Sequence, residues 1–411
     1  METKNGVIKT KKDVIKTNKG VLNTTKFPVS LFMPYLFFYA GQAIYETYLN
    51  LYFNDIGFTK TQMGSFTSIA TLIVLLVQPL WGYASDRTKN KNRILSLLIL
   101  GCGTTILGFY LGINYYYILL LNCAFSVFYT SSPALMDNLT LESLEKRESR
   151  FDFGHIRLGG TLGYAIGVLA AGRIMSDNYK KMFYMISILM FLTFIAIRFI
   201  APVAGHRSKE KTSFKSLIKD KKIFCFILVN FIFSLGMTIY YSFYPLYFTS
   251  IGGDSAQIGL LMFATAASEI PFWLITGKLV NKLGYEKMIV ISIAVTGFRW
   301  LALFFVTNPL LAIAVNLTHG FCFVTLNYSI ITYINAHVPK DLRATGQSMN
   351  NLLTTIFSRV IGGVLVGYLS DKFGINQMLL ISSVLAFAGS IIFPIAFTAI
   401  KRSEAKNALV S

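Results

Sequence analysis

Charged side chains are scarce in this sequence. Asp, Glu, Lys and Arg make up only 14% of its 411 residues, whereas 54% are hydrophobic and 15% aromatic, and the mean hydropathy is +0.56. Soluble globular domains carry about 25% charged residues, so this composition excludes an ordinary soluble protein. Apolar runs of about 20 residues recur along the chain, and each is long enough to cross a hydrocarbon core as a helix. The sequence therefore predicts a membrane protein with many spans.

Cysteine and the motifs of nucleotide and metal chemistry are also rare or absent. The four cysteines lie within apolar runs and have no metal-ligand spacing, which is typical of small core residues. The sequence contains no phosphate-binding P-loop motif. We therefore expect no metal and no cofactor, and we expect neither an enzyme nor an ATP-driven pump.

Acidic residues are half as frequent as basic ones, with 19 Asp and Glu against 38 Lys and Arg and a net charge of +19. Most of the basic residues cluster in both tails and in alternate connections between apolar runs. The opposite side would carry only Lys60, Arg173, Lys180, Lys181 and Lys372. Because cytoplasmic loops of membrane proteins are enriched in Lys and Arg, this distribution predicts orientation and not nucleic-acid binding. We expect a multi-pass protein of the plasma membrane with both termini in the cytoplasm.

The apolar runs predict an all-α membrane protein with about twelve transmembrane helices. They form two groups of six, residues 28–201 and 223–399, joined by the polar cytoplasmic segment 202–222. Residues 1–27 are expected to form a basic cytoplasmic tail that is not a cleaved signal peptide, and residues 400–411 a second cytoplasmic tail. The predicted architecture is therefore a pair of pseudo-symmetric six-helix bundles.

The two groups of six resemble each other at a constant offset. Residues 52–57 (YFNDIG) align with residues 247–252 (YFTSIG). The same offset aligns three glycines with three others, Gly82 with Gly277, Gly167 with Gly362 and Gly172 with Gly367. A parallel duplication of six spans is typical of transporters whose substrate site lies between the halves near the middle of the membrane. The repeat therefore favours a transporter over a receptor or a membrane enzyme.

A short loop motif follows the second span of each half. The first copy contains Gly82, Asp86 and Arg87, and the second copy begins at Gly277. These loops resemble the cytoplasmic signature of the major facilitator superfamily, which implies that fold and a gating role for the four residues. In such a gate, the Asp86 carboxylate would bond a neighbouring helix N-terminus or an Arg when the cytoplasmic face is closed. The similar segment 367–374 falls on the predicted outer side, where it either serves an external gate or forms a turn.

Within this superfamily the chain resembles the lactose permease and phenylpropionate permease branch over nearly its whole length. The residues that carry the resemblance are the segments 78–82 (QPLWG) and 153–160 (FGHIRLGG), followed by Glu269, Arg299 and His319. For the first half, the resemblance implies that Asp137 pairs with Arg157 at the substrate, with Asn138 as an alternative to Asp137. It also implies an aromatic platform at Tyr164, which would stack on an apolar ring face or on the C–H face of a sugar.

For the second half, the resemblance implies a proton-coupling group. Glu269 would contact the substrate and would also exchange protons together with Arg299 and His319. Burial favours the neutral form of a carboxylic acid and a neighbouring Arg favours the charged form, so a Glu that changes partners takes up and releases a proton. The chain departs from lactose permease at Cys322, where that family member has a second carboxylate.

Seven ionisable side chains lie within apolar runs, namely Glu46, Asp137, Arg157, Glu269, Arg299, His319 and Arg359. A charge near the bilayer centre costs roughly 2.5 to 3.5 kcal/mol, so such groups normally face a partner or a water-filled cavity. Structural ion pairs between helices are the alternative interpretation for each of them. Glu46 and Arg359 have no counterpart in the resemblance, and a bond between them would join the two halves.

Together these features predict a secondary active transporter that imports a small solute with protons by alternating access. A sugar, a glycoside or an aromatic acid is the expected solute. Proton-driven efflux of drugs or metabolites is an alternative in the same fold, and a membrane sensor without transport activity is a further one. The expected partners are the solute, protons and the lipid bilayer, and the protein is expected to be a monomer.

Overall fold

The structure is a computed structural model, and it describes residues 27–147, 151–176, 178–203, 221–338 and 343–410. Every regular element within those ranges is helical. The first half contains α1 (Val29–Asp55), α2 (Lys60–Arg87), α3 (Lys91–Gly108), α4 (Tyr115–Tyr129), α5 (Ser132–Arg147), α6 (Phe153–Ile174) and α7 (Lys181–Ile197). The second half contains α8 (Lys221–Ser250), α9 (Ser255–Leu283), α10 (Tyr285–Phe305), α11 (Pro309–Asn316), α12 (His319–His337), α13 (Arg343–Asn351), a π-helical turn (Leu352–Phe357), α14 (Ser358–Phe373) and α15 (Ile375–Val410).

Several of these helices have the length and composition of membrane spans. Within the described residues, seven helical stretches qualify, and Lys181–Ile197 is a shorter apolar helix. The seven are Lys60–Arg87, Tyr115–Glu145, Ser255–Leu283, Tyr285–Phe305, Pro309–His337, Met349–Phe373 and Ile375–Ile400. The count of twelve spans and the domain boundaries stay predictions. The predicted N-terminal tail up to residue 26 and most of the predicted linker lie outside the described residues, and α15 continues to Val410, beyond residue 399.

The backbone repeats where the sequence repeats. The turns after α1 and α8 contain Gly57 and Gly252, whose φ angles are +89° and +90°, a left-handed conformation that glycine adopts without steric cost. Thr59 then caps α2 and Asp254 caps α9, and each forms a capping box with the glutamine three residues later. The duplication predicted from the sequence is therefore present in the local structure of these connections.

Most helices pack on others of their own half, and among the described residues the main contacts between the halves are made by three helix pairs. α1 packs on α6 and α7, whereas α15 packs on α8 and α10. Between the halves, α2 contacts α14, α6 contacts α9 and α1 contacts α8. Large apolar side chains remain exposed on the outer surface, among them Leu76, Leu111, Leu120, Phe199 and Leu274. Such an apolar exterior is expected where lipid covers the protein.

Candidate functional site

The two halves close against each other at the end of the molecule that carries the α1–α2 connection, which we call the closed end. There Gly64 of α2 meets Gly363 and Gly367 of α14. A Cβ atom added at Gly64 would overlap the carbonyl group of Gly363, and one added at Gly367 would overlap the backbone of α2. Only glycine permits such a close approach of two helix backbones.

A carboxylate from α14 seals this contact. Asp371 accepts hydrogen bonds from the backbone N–H groups of Lys60 and Thr61 at 2.9 and 2.8 Å, and from the Thr61 hydroxyl at 2.6 Å. These N–H groups belong to the first turn of α2, where intrahelical partners are missing and where the helix dipole favours a negative charge. The segment 367–374 thus makes a contact between the halves, and its role in an external gate stays a prediction.

The contact between α6 and α9 corresponds to the contact between α2 and α14, because the sequence repeat aligns Gly259 with Gly64 and Gly172 with Gly367. A Cβ atom added at Gly172 would lie 2.6 Å from the carbonyl oxygen of Ser255, and one added at Gly259 would lie 2.5 Å from that of Val168. The buried Tyr48 hydroxyl donates here, at 3.2 Å from the Ser255 carbonyl oxygen and 3.3 Å from that of Val168. A tyrosine thus occupies this contact, whereas a carboxylate occupies the other.

Between the halves lies a cavity of about 630 Å³, a volume typical of small-molecule sites. It extends from Phe53 and Phe66, near the closed end, to Asn230 and Asn350, farther along the molecule. Both halves contribute tyrosines to its wall, namely Tyr45, Tyr129, Tyr164, Tyr240, Tyr241 and Tyr244. Its remaining ionisable lining residues are Glu46, Glu269, His319 and Arg359. The cavity therefore combines aromatic faces with charged and hydrogen-bonding groups.

The structure brings together the three residues predicted to couple transport to protons. His319 begins α12, directly after the break that follows α11, and is buried. Its Nδ1 lies 2.6 Å from Nη1 of Arg299, and its Nε2 lies 3.6 Å from Oε1 of Glu269. Arg can only donate hydrogen bonds, so Nδ1 must accept, and the proton of the neutral ring is on Nε2. The Nε2–H therefore lies beside both the Tyr241 hydroxyl, at 3.4 Å, and the Glu269 carboxylate at the cavity wall.

Arg299 is buried beside this group and only partly satisfied. Its guanidinium carbon lies 4.5 Å from the centre of the Tyr240 ring, a cation–π geometry. Among the described residues, its Nε and Nη2 atoms have no hydrogen-bond partner. Asn316 bonds both the Tyr240 hydroxyl and Thr265, which fixes the neighbouring polar groups. Arg299 and Glu269 therefore contact the same histidine from opposite sides of its ring.

Glu46 and Arg359 face the same cavity from opposite halves. Oε1 of Glu46 accepts hydrogen bonds from the Gln42 amide at 2.9 Å and from the Tyr129 hydroxyl at 3.3 Å. Arg359 is exposed to the cavity, and its backbone carbonyl accepts a hydrogen bond from Ser68 at 3.4 Å. Within the described part of the chain, no ion pair within 4 Å joins the two side chains, so the cross-half bond is not formed in this structure.

Of the residues predicted for the substrate site of the first half, Tyr164 lines the cavity whereas Asp137 and Arg157 do not. Asp137 accepts a hydrogen bond from the Tyr35 hydroxyl at 2.7 Å. The Arg157 guanidinium lies 4.1 Å from the ring centre of Tyr39 and 5.7 Å from that of Tyr35. The acid and the arginine therefore meet through tyrosines of α1 and not through a direct ion pair, and their role in substrate binding stays a prediction.

The residues of the predicted cytoplasmic gate lie at the end of α2 and α9 that is remote from the closed end. A Cβ atom added at Gly82 would meet no atom within 4 Å, and one at Gly277 would meet only the Tyr328 side chain of its own half. Asp86 is half-buried and, among the residues described, has no hydrogen-bond or ion-pair partner. Arg87 lies over a neighbouring tyrosine ring at 4.0 Å. Their role in gating stays a prediction.

Several cavity residues were missed by sequence reasoning because they carry no charge. Five asparagines line the cavity, Asn50, Asn122, Asn230, Asn327 and Asn350. Asn122 accepts a hydrogen bond from Tyr45 at 3.1 Å and donates one to the Phe66 carbonyl at 3.0 Å. An amide within an apolar run is the sequence signal that would have found them, because it too needs partners in the membrane.

Comparison with known proteins identifies the family to which this chain belongs. The model of the MFS_1 like family matches residues 29–381. The chain belongs to this family. The prediction of a major facilitator superfamily fold is thereby confirmed, and the protein is a multi-pass membrane transporter of small molecules.

Relatives of this MFS_1 like protein are transporters as well. It is 25% identical over 361 residues to the uncharacterized transporter YwbF of Bacillus subtilis (strain 168). This alignment covers 86% of this chain and 90% of the relative. It is 24% identical over 378 residues to the maltose permease of Geobacillus stearothermophilus, with 90% and 93% covered. The superposition on the crystal structure of nucleoside transporter NupG covers 90% of this chain and 98% of the NupG chain, with a TM-score of 0.82. At 16% identity, this similarity is one of fold.

Proposed function

We propose that this transporter is a proton-coupled symporter that imports a sugar, a glycoside or an aromatic acid by alternating access. The observation that carries the proposal is the line from Glu269 at the cavity wall through His319 to the buried Arg299. A symporter needs a titratable group that both faces the solute and responds to it. Glu269 has this position, and the permeases for sugars among its relatives support the solute class.

In this mechanism the protonation of Glu269 depends on what lies beside it. When the carboxyl group is protonated, it donates a hydrogen bond to a solute in the cavity. When solute leaves, the Nε2–H of His319, 3.6 Å from Oε1 in this structure, donates to the carboxylate, which favours its charged form and release of the proton. Arg299 holds His319 in the tautomer that this step requires, because its N–H occupies Nδ1.

The proposal places the closed end outside the cell and both termini in the cytoplasm of a monomer in the plasma membrane. Its support is the concentration of Lys and Arg in the connections of the opposite end. The structure is then an inward-facing state, in which the cavity is sealed from the outside by α2 with α14 and α6 with α9. In the outward-facing state, Gly82, Asp86, Arg87 and Gly277 would form the corresponding cytoplasmic seal.

The test is transport into proteoliposomes under an imposed pH gradient, inside alkaline, with radiolabelled maltose, sucrose and 3-phenylpropionate as probes. The wild-type protein is expected to accumulate at least one probe, and Glu269→Gln is expected to lose the accumulation because it cannot exchange a proton. The variant should still equilibrate the probe across the membrane, which distinguishes lost coupling from lost folding. Glu145→Gln, the same chemical change on an exposed residue outside the cavity, is the matched control.

Accumulation that does not depend on the gradient, or a fully active Glu269→Gln protein, would refute the coupling. Export of solute driven by the inward proton gradient would establish the antiporter alternative instead. The polar lining of the cavity favours import of a hydrophilic solute over efflux of apolar drugs, because apolar compounds gain little from buried amide and carboxylate groups.

A further inference from the structure

In the first half, one carboxylate lines the cavity, that of Glu46, and only one of its two oxygens accepts hydrogen bonds within the protein. Both neighbours of Glu46, the Gln42 amide and the Tyr129 hydroxyl, donate to its Oε1 atom. Among the described residues, Oε2 has no donor, and no Lys, Arg or His lies within 4 Å of the carboxylate. Glu46 is exposed to the cavity, and the two donors on Oε1 restrain the orientation of the group, which leaves Oε2 available to a ligand.

The surroundings of Glu46 add an aromatic wall to this acceptor. The ring centres of Tyr45 and Tyr129 are 5.3 Å apart, and both rings pack on Phe125 at 4.6 and 5.0 Å. Tyr164 of α6 lines the same cavity, as does Glu269 of the other half. A fixed carboxylate oxygen beside aromatic faces suits a ring that carries hydroxyl groups at its edge and C–H groups on its face.

From this geometry we infer that the substrate site of the first half is built on α1 around Glu46, and not on Asp137 and Arg157, and that it takes an uncharged solute with several hydroxyl groups. The inference rests on the proposed transport function and narrows its solute. Glu46 binds one end of the solute through Oε2, and Glu269 binds the other from the second half. Asp137 has its Oδ1 engaged by Tyr35 and lies outside the cavity lining.

The charge of Glu46 disfavours an anionic group at its end of the cavity. Glu46, Glu269 and Arg359 line the cavity, and the buried guanidinium of Arg299 lies behind the neutral His319. Both arginines belong to the second half, and among the described residues no Lys, Arg or His lies within 4 Å of the Glu46 carboxylate. The carboxylate of an aromatic acid placed beside Glu46 would therefore face a like charge in a partly desolvated site. A neutral polyol instead supplies a hydroxyl donor to Glu46 and accepts a hydrogen bond from protonated Glu269.

The test is ligand-induced thermal shift and equilibrium binding on the purified full-length protein. The uncharged probes are maltose, sucrose and the nucleoside uridine, and the anionic probe is 3-phenylpropionate. At least one uncharged probe is expected to bind to the wild type, and 3-phenylpropionate is not. Glu46→Gln is expected to weaken that binding about 10- to 100-fold, as for loss of a charge-assisted hydrogen bond, whereas Asp137→Asn should change it by less than about twofold.

Two further measurements keep the inference separate from folding and from coupling. Tyr129→Phe retains the Glu46 carboxylate but loses one donor that orients it, so it should weaken binding about two- to tenfold. At saturating solute, Glu46→Gln should retain uptake that depends on the pH gradient. Gradient-independent uptake by the wild type would refute the proton coupling and leave the binding assignment intact.

The inference is overturned by any of three results. Glu46→Gln and Tyr129→Phe could both bind the solute as tightly as the wild type. Asp137→Asn could lose as much affinity as Glu46→Gln, which would return the site to the residues implied by the family resemblance. Finally, 3-phenylpropionate could be the probe that binds while none of the uncharged probes does.

Discussion

The contact between α2 and α14 and the contact between α6 and α9 close the same end of the molecule, yet different side chains seal them. Both depend on glycines at positions related by the repeat, Gly64 and Gly367 in one and Gly259 and Gly172 in the other. The first is sealed by a solvent-exposed carboxylate on backbone N–H groups, and the second by a buried tyrosine hydroxyl on carbonyl oxygens. The two contacts therefore share their backbone geometry, whereas the side chains that seal them differ.

The energies of the two seals are expected to differ. A hydrogen bond to a charged group contributes about 1.5 to 3 kcal/mol and a neutral one about 0.5 to 1.5 kcal/mol. Exposure of Asp371 lowers its contribution through solvent screening, but this side chain makes three hydrogen bonds at 2.6 to 2.9 Å. The longer contacts of Tyr48, at 3.2 and 3.3 Å, are weaker. Opening of this end should therefore respond more to Asp371 than to Tyr48.

The largest effect is expected from Gly64→Val, because its side chain would overlap the backbone of α14 and force the two helices apart. The measurement is labelling of a single cysteine introduced at the cavity residue Thr67, in a protein whose native cysteines are replaced. A membrane-impermeant maleimide added at the closed end should react about tenfold faster than in the parent. Gly82→Val, at a glycine with open space around it in this state, should not raise labelling, and an equal rise in both variants would contradict the packing argument.

Asp371→Asn is expected to have the intermediate effect. The amide keeps the shape of the side chain but loses the negative charge that the α2 N-terminus favours. The labelling rate at Thr67→Cys should rise about three- to tenfold. Lys372→Gln changes a charge on the adjacent exposed residue and should have no comparable effect. If both variants respond alike, surface charge and not the cap on α2 controls the opening.

The smallest effect is expected from Tyr48→Phe, which removes one hydroxyl and leaves the ring and the glycine contact of α6 and α9 in place. Labelling at Thr67→Cys should rise less than about fivefold. Tyr52→Phe removes the hydroxyl that donates to the Phe109 carbonyl within the first half and serves as the control. A larger effect of Tyr48→Phe than of Asp371→Asn would reverse the order of the two seals.

The sequence predicted those parts of the structure that depend on composition, local pattern and duplication. The helical membrane fold follows from apolar runs, and the repeat anticipated the matching turns at Gly57 and Gly252. The proximity of Glu269, Arg299 and His319 came from the family resemblance, since no local pattern brings residues of three helices together. What the sequence left open was the direction of each side chain within the bundle.

That limitation explains the outcome for the first half. An acid or an arginine in an apolar run signals that the side chain has a partner, but the identity of the partner depends on helix rotation and tilt. Asp137 turned out to bond a tyrosine, and Glu46 a glutamine and a tyrosine of the cavity wall. Tyrosine is abundant in this chain, with 22 residues, so its hydroxyl groups supply partners that a search for complementary charges overlooks.

The π-helical turn Leu352–Phe357 connects the wall of the cavity to the contact between α14 and α2. A residue advances an α-helix by about 100°, so the extra residue of a π turn rotates everything beyond it by about that angle. Thr354 and Thr355 of the turn line the cavity, and Gly363 and Gly367 beyond it meet α2. Deleting one residue here would leave a continuous helix with its glycines directed at a different neighbour. The number of residues in this turn, more than their identity, therefore sets the rotation of the contact glycines of α14 relative to the threonines that line the cavity.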